Sequence, residues 1–203
     1  PMAKPSIDLN MEGNVAVLTM NNPPANTWTQ DTLTALKDTV TELNANKNVY
    51  ALVITGQGEK FFSAGADLNV FASGDKGVAA TMSKVFGDAF EALTNFRGVS
   101  IAAINGYAMG GGLEVALGCD YRVALDSARL GLPEVKLGLL PGAGGTQRLP
   151  RPVGAQKALE MVVGGTPVKA HDALTPGVVD EMCSGRLLDG ALSDDRPIMA
   201  LNA

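Results

Sequence analysis

The chain reads as an α/β protein, and three observations predict it. Short apolar runs with strand character alternate with longer segments of helical periodicity. Two of those runs, 50–56 and 100–104, lead through small-residue turns into further helical sequence. Over its 203 residues the chain is 46% hydrophobic, enough for one domain with a sizeable core.

Val15-Ala16-Val17-Leu18-Thr19-Met20 predicts a strand after the turn Glu12-Gly13-Asn14. Asn21-Asn22-Pro23-Pro24-Ala25-Asn26 predicts a loop. Leu33, Leu36, Val40 and Leu43 recur at helical spacing and predict a helix over 29–45. A strand follows over 51–55, then the turn Ala64-Gly65-Ala66. A second long helix is predicted over 77–94, with Val78, Met82, Val85, Phe86, Phe90 and Leu93 on its apolar face. The apolar faces of both long helices read as core rather than partner surface. A strand over 100–104, a short buried helix around Glu114 and a strand over 121–125 come next. No internal repeat is legible. The run Pro141-Gly142-Ala143-Gly144-Gly145-Thr146 lacks the Gly-Lys-Ser/Thr of a nucleotide phosphate loop. It reads as a tight turn into a helix whose first N–H groups face a site.

Two glutamates stand out. Glu114 lies in Gly110-Gly111-Gly112-Leu113-Glu114-Val115-Ala116-Leu117-Gly118, and Glu134 in Leu130-Gly131-Leu132-Pro133-Glu134-Val135-Lys136-Leu137. A carboxylate in apolar surroundings is costly when charged and unpaired, so its pKa should rise. Two such carboxylates have the character of a general acid and a general base. A single glutamate on a helix is ordinarily a solvated surface residue. Glu114 resists that reading because its helix has no polar face. Glu134 resists it less, since Lys136 marks a wet side; alone it reads equally as a loop residue or a helix-start acid.

Glycine placement is the third feature. Ser63-Ala64-Gly65-Ala66-Asp67 and Asn105-Gly106-Tyr107-Ala108-Met109-Gly110-Gly111-Gly112 each follow a strand-like run. Turns of this kind leave backbone N–H groups unpaired and open to close approach. Two of them aimed at one oxygen would make an oxyanion hole. By spacing alone, two ordinary strand-to-helix turns explain the pattern as well. Met109 fits an acyl pocket and core packing alike.

Composition excludes several classes. Net charge is −5, with no block of Lys and Arg, so non-specific nucleic-acid binding is disfavoured. Lys60, Arg148 and Arg151 read first as solvated charges and second as contacts for an anionic ligand. The one histidine, His171, argues against His-rich metal sites and a Ser-His-Asp triad, and it reads as an exposed helix start. No metal site is expected. Cys119 reads as a small core residue; it and Cys183 are the only cysteines. With no signal peptide legible, they point to a reducing, cytoplasmic setting. No apolar run reaches the ~18 residues of a membrane span, so no membrane insertion is expected. Met2 reads as the natural start, with Pro1 an extraneous residue.

The glycine turns, Leu113-Glu114, Cys119-Asp120, and Leu132-Pro133-Glu134 through Gly144-Gly145-Thr146-Gln147-Arg148-Leu149 together resemble the enoyl-CoA hydratase/isomerase (crotonase) family, over roughly residues 12–182. Four motifs in family order make the resemblance specific. It implies a crotonase-like spiral of strand-strand-helix turns. It implies that the Ala66 and Gly111 N–H groups hold a thioester oxygen and that Glu114 and Glu134 are the catalytic carboxylates. Ala64, Asp67, Leu68, Gly110, Pro133 and Gly142 are implied as substrate-binding positions. The partner implied is an acyl-CoA thioester, with no separate cofactor because coenzyme A belongs to the substrate. A homo-oligomer is implied, a trimer or a dimer of trimers. Both glutamates together point to hydration of a 2-trans-enoyl-CoA in fatty-acid β-oxidation, Glu114 drawing a proton from water and Glu134 giving one to C2. The alternatives are an enoyl-CoA isomerase and a catalytically impaired acyl-CoA-binding or assembly module. Gly111 is expected to tolerate no side chain, because the thioester must come close to its N–H.

Three departures from the family follow. Residues 1–165 are expected to form the spiral core, and 166–203 a short C-terminal segment, a reduced remnant of the family's helical lid. The tail, interrupted by Pro197, is expected to pack in an unusual way from 187 to 201 or to be poorly ordered. Asn69 stands where many relatives carry a lysine near the CoA phosphates. The short Asn22-Pro23-Pro24-Ala25-Asn26 loop resembles those in the hydratase parts of fused fatty-acid oxidation enzymes.

Overall fold

A computed structural model gives the architecture and describes residues 5–71, 75–185 and 187. The chain opens with β1 (Ser6–Glu12) and β2 (Val15–Asn21), an antiparallel hairpin in which Glu12 faces Val15. The helix α1 (Gln30–Ala45) follows, its start fixed by a reciprocal cap between Thr29 and Thr32. From there the chain repeats one unit. β3 (Ala51–Gly56), β4 (Phe61–Ser63), a 3-10 turn over Leu68–Phe71 and α2 (Lys76–Thr94) form the first round. β5 (Val99–Ile104), β6 (Tyr107–Met109) and α3 (Gly111–Leu117) form the second. The third starts with β7 (Tyr121–Leu125) and β8 (Arg129–Gly131). It continues through a 3-10 turn over Pro133–Leu137 into α4 (Gly145–Arg148) and α5 (Pro150–Gly164). β9 (Val168–Lys169), α6 (Ala170–Leu174) and β10 (Glu181–Cys183) complete the elements.

The first strand of each round joins a six-stranded sheet of order β1-β2-β3-β5-β7-β10, parallel apart from the opening hairpin. The second strand joins a four-stranded sheet of order β4-β6-β8-β9, in which only β9 is antiparallel. This is the α/β architecture the sequence predicts, in the spiral of strand-strand-helix turns that the family resemblance implies. Residues beyond 165 rejoin both sheets, β9 beside β8 and β10 beside β7. The expectation for 187–201 falls outside the described residues except at Leu187, which is buried.

Both faces of the larger sheet are covered. Leu52, Ile54, Ala102 and Ile104 face the main core with the helices. Val53, Ile101 and Ala103, the alternate residues, face a smaller cluster with Val17, Val123 and Leu187. That two-sided burial explains why β3 and β5 read as continuous apolar runs.

The elements that sequence did not announce are mostly too short to carry a pattern. β1 is the exception: Ile7, Leu9 and Met11 alternate with Asp8, Asn10 and Glu12, a strand signal the sequence reading passes over, and at the sheet edge Leu9 and Met11 stay exposed. β4, β6 and β8 have three residues each, too few for a period to show. The start of β4 is held by buried amides. Asn105 Nδ2 donates to the carbonyls of Gly56, Gly58 and Phe61, and Asn26 Nδ2 to those of Gln57 and Phe61. These bonds fix the path from β3 into β4 and so aim the first glycine turn.

Candidate active site

Glu114 sits one turn into α3. The chain enters that helix through Gly110, whose φ of +53° and ψ of −125° exclude a side chain. Gly112 brings α3 against β4 so closely that a Cβ there would overlap the Ser63 carbonyl. All seven residues of α3 are buried, and Glu114 is 2% exposed. The expectation of a helix without a wet face holds. The carboxylate is met by the turn before α4: Oε1 accepts from Ala143 N–H at 2.9 Å and from Gly145 N–H at 2.8 Å. A Cβ on Gly145 would lie 2.9 Å from Oε1, so glycine is needed for that approach. Burial raises the Glu114 pKa, while the two N–H bonds and the Arg148 charge hold it down. The net shift is upward.

Glu134 reaches the same place from the 3-10 turn after β8, where Pro133 opens the turn. Its Oε1 lies 3.0 Å from where a Cβ on Gly110 would stand. Its Oε2 is buried and, among the described residues, without a hydrogen-bond partner. Burial pushes its pKa up to about 7, and the nearby Glu114 charge adds to the rise against its own backbone N–H. One carboxylate is therefore clamped by two donors and the other is held mainly by packing.

The two glycine turns lie side by side. A Cβ on Gly65 would stand 2.8 Å from the Met109 carbonyl and 3.1 Å from Gly111 N. Trp28 forms a parallel bridge with Ala66, taking the carbonyl of Gly65 and the N–H of Asp67. In such a bridge the middle residue turns its own N–H to the opposite side. Ala66 N–H thus points away from Trp28 and, like Gly111 N–H, donates to no backbone carbonyl among the described residues.

These groups share one cavity of about 510 Å³. Ala64, Ala66, Leu68, Gly110, Gly111, Glu114, Pro133, Glu134 and Gly142 all line it. Asp67 does not; its Oδ1 accepts from the backbone and side chain of Asn69 and shapes the turn. Met109 is not among the lining residues either. The walls include a stripe of α2, Ala79, Met82, Ser83 and Phe86, of which Met82 and Phe86 were read only as core and Ala79 and Ser83 not singled out. Their spacing matches one helix face, and Met82 and Phe86 serve core and cavity at once. Leu137, Leu139 and Leu140 form an exposed apolar lip. Among the described residues no cluster of metal-ligating side chains occurs, and no helix is long and apolar enough to cross a membrane.

The glycines of α3 separate into two kinds. A Cβ on Gly111 would meet the Phe86 ring at 3.0 Å, a side chain able to shift. On Gly112 it would meet the Ser63 backbone. The ring contact is a second reason, beyond ligand approach, for the absence of a side chain at 111. Gly112→Ala is expected to destabilise the fold by about 1–3 kcal/mol or more through overpacking. Gly111→Ala should melt near the unsubstituted protein while losing most turnover. Thermal unfolding of the two variants side by side checks this, and equal losses of stability would show that 111 is structural as well.

Known proteins bear on this geometry. The enoyl-CoA hydratase/isomerase family model matches residues 10–193, further at both ends than the motifs alone reach. A probable enoyl-CoA hydratase of Bacillus subtilis is 42% identical over 175 residues, covering 86% of this chain and 67% of that protein. The glyoxysomal fatty acid beta-oxidation multifunctional protein MFP-a of Cucumis sativus is 44% identical over 172 residues. The match takes in 82% of this chain and only 23% of the cucumber protein, so the chain spans under a quarter of that relative. The solved structure of Pseudomonas aeruginosa DspI superposes with a TM-score of 0.90 at 54% identity, covering 92% of this chain and 71% of that one. The chain belongs to the enoyl-CoA hydratase/isomerase family.

Proposed function

We propose that the chain hydrates a 2-trans-enoyl-CoA to a 3-hydroxyacyl-CoA. One observation carries the reading: two carboxylates of raised pKa face one apolar cavity beside two backbone N–H groups that donate to no backbone carbonyl among the described residues. The thioester oxygen sits between Ala66 N–H and Gly111 N–H. A water lies between the carboxylates. Ionised Glu114 takes a proton from it as its oxygen bonds to C3. The C2–C3 π electrons move toward the carbonyl, and the enolate oxygen is stabilised by the two donors; loss of one donor of this kind typically costs about 3 kcal/mol of barrier. Protonated Glu134 then delivers its proton to C2. The sum is addition of one water, and a proton passing from Glu114 back to Glu134 resets the pair. The steps need no cofactor or metal, since coenzyme A is the carrier part of the substrate.

Disappearance of the conjugated thioester absorbance, with a product heavier by one water, tests this directly. An isomerase would instead return a product of unchanged mass. Tight binding of an unreactive acyl-CoA without turnover would mark a binding module.

The pH dependence has a defined sign. Glu134 must be protonated to act as acid, so kcat/KM should fall as pH rises through about 7. Its pKa is raised from 4.5 in the folded protein, so the folded state binds that proton more tightly than the unfolded chain does. The stability this contributes is complete below about 4.5 and is lost as pH rises through about 7. Glu134→Gln should flatten this slope in denaturation measured at stepped pH; an unchanged slope would remove Glu134 as its source.

The same reading includes a homo-oligomer. Leu159 and Val163 stand one turn apart on the outer face of α5, 59% and 61% exposed, and Leu140 is 75% exposed. Apolar surface of this kind favours burial against another copy. Light scattering at micromolar concentration is expected to give a mass above that of one chain, and a stable monomer would end this part of the reading.

A further inference from the structure

Arg148 has no assigned task. As a sequence position it reads as a solvated charge, yet the structure leaves it half-buried, with its guanidinium bonded to the protein. Nη1 donates to the Ala143 carbonyl at 2.9 Å, and Nη2 to Thr94 Oγ1 at 3.3 Å. Ala143 is one of the two residues whose N–H holds Glu114. Thr94 ends α2, the helix whose other end lines the cavity. Gly144, at φ +96°, lies between the two N–H donors, and a Cβ there would overlap Nη1. The turn is therefore shaped around the guanidinium. Among the described residues no carboxylate lies within ion-pair distance of Arg148, so its charge is not cancelled by a partner.

We propose that Arg148 is a positioning residue: it locks the Ala143–Gly145 turn against the end of α2, so that both N–H groups point at one oxygen of Glu114 and its other oxygen is presented to the substrate water. The inference rests on the hydratase reading of the site. An arginine suits this place because its planar fork spans two acceptors at fixed angles, whereas an ammonium does not. Its charge also acts on Glu114. Of the elements packed on α3, β4 and β5 carry no titratable group, Tyr107 of β6 and Tyr121 of β7 are exposed, Arg122 of β7 is paired with Asp180, and Cys119 past the helix end is a thiol that burial keeps neutral. Asp120, just beyond α3, is engaged by Ser100. Arg148 and Glu134 are left as the charges that face the Glu114 carboxyl, and Arg148 favours its ionised form.

Three variants test this in the full chain: Arg148→Met, Arg148→Lys and Thr94→Val. Arg148→Met is expected to lower kcat roughly 10- to 100-fold by misplacing the base, with KM nearly unchanged. The acidic limb of its pH–rate profile should move to higher pH, because Glu114 ionises later without the positive charge. Arg148→Lys should restore the position of that limb but not kcat, since charge returns and the fork does not. Thr94→Val, which removes one partner only, should fall between the unsubstituted protein and Arg148→Met in kcat. A carbon-detected NMR titration of the side-chain carboxyls, with Glu114→Gln identifying the signal, gives the Glu114 midpoint without turnover. If the unsubstituted protein does not hydrate enoyl-CoA, the hydratase reading fails while the NMR midpoint still decides whether Arg148 sets Glu114. An unchanged midpoint in Arg148→Met, or a kcat equal to the unsubstituted protein, overturns the proposal. Should Arg148→Met fail to fold, the split between kcat and limb position in Arg148→Lys decides it, and loss of neither overturns it equally.

Discussion

Glu114→Gln is expected to lower hydration by about 10²- to 10⁴-fold, the range for a general base, while the protein stays folded. The structure explains why fold and activity separate here. Oε1 of Glu114 is an acceptor for two backbone donors, Ala143 N–H and Gly145 N–H. The amide oxygen of glutamine takes both bonds in the same place. What the amide lacks is the ability to accept a proton from water. Burial makes the ionised carboxylate costly, as the upward pKa shift records, and the amide carries no such cost. The variant should therefore melt at or above the temperature of the unsubstituted protein. A clear drop in melting temperature together with activity would mean that the carboxylate holds the turn rather than serving chemistry.

The second large effect is expected at Glu134. Glu134→Gln removes the acid proposed to feed C2 and should again cost about 10²- to 10⁴-fold. Its signature differs from that of Glu114→Gln. With the carboxyl gone, the fall of activity near pH 7 should disappear from whatever turnover remains. Oε2 has no hydrogen-bond partner to lose among the described residues, so the substitution adds at most one amide group to a buried position. Exchange of solvent deuterium into C2 of an acyl-CoA offers a cleaner readout than turnover, because it reports proton delivery alone. Exchange at the unsubstituted rate in Glu134→Gln would take this residue out of the proton path.

Much of the site was legible before the fold because its parts violate ordinary local rules. A glutamate in a helix with no polar face has few bland explanations, and Glu114 proved to be 2% exposed. The turns at Gly65 and Gly110 announced themselves through glycines that the backbone requires, at φ +91° and +53°. Glu134 was less legible, since half of its segment is wet and the burial of Oε2 depends on how the chain folds back from β8. Arg148 was read first as a solvated charge, and only the structure shows its guanidinium bonded to the turn beside Glu114. No local pattern distinguishes an arginine facing solvent from one that donates to a carbonyl five residues earlier. The α2 stripe was equally silent, because Met82 and Phe86 satisfy a core pattern whether or not a cavity opens beside them. β4 is placed by long-range amide bonds from Asn26 and Asn105, which no window of neighbouring residues contains.

The unequal anchoring of the two carboxylates has a stereochemical consequence. Glu114 is held by two backbone donors on a fully buried helix, so the water it activates approaches the substrate from one fixed direction. In the proposed reaction that direction determines the handedness of the new alcohol at C3. Glu134, seated on a half-exposed turn with one oxygen unbonded, has room to follow C2 as the acyl group varies. Chirality at C3 should then stay uniform across a series of substrates even where their rates diverge.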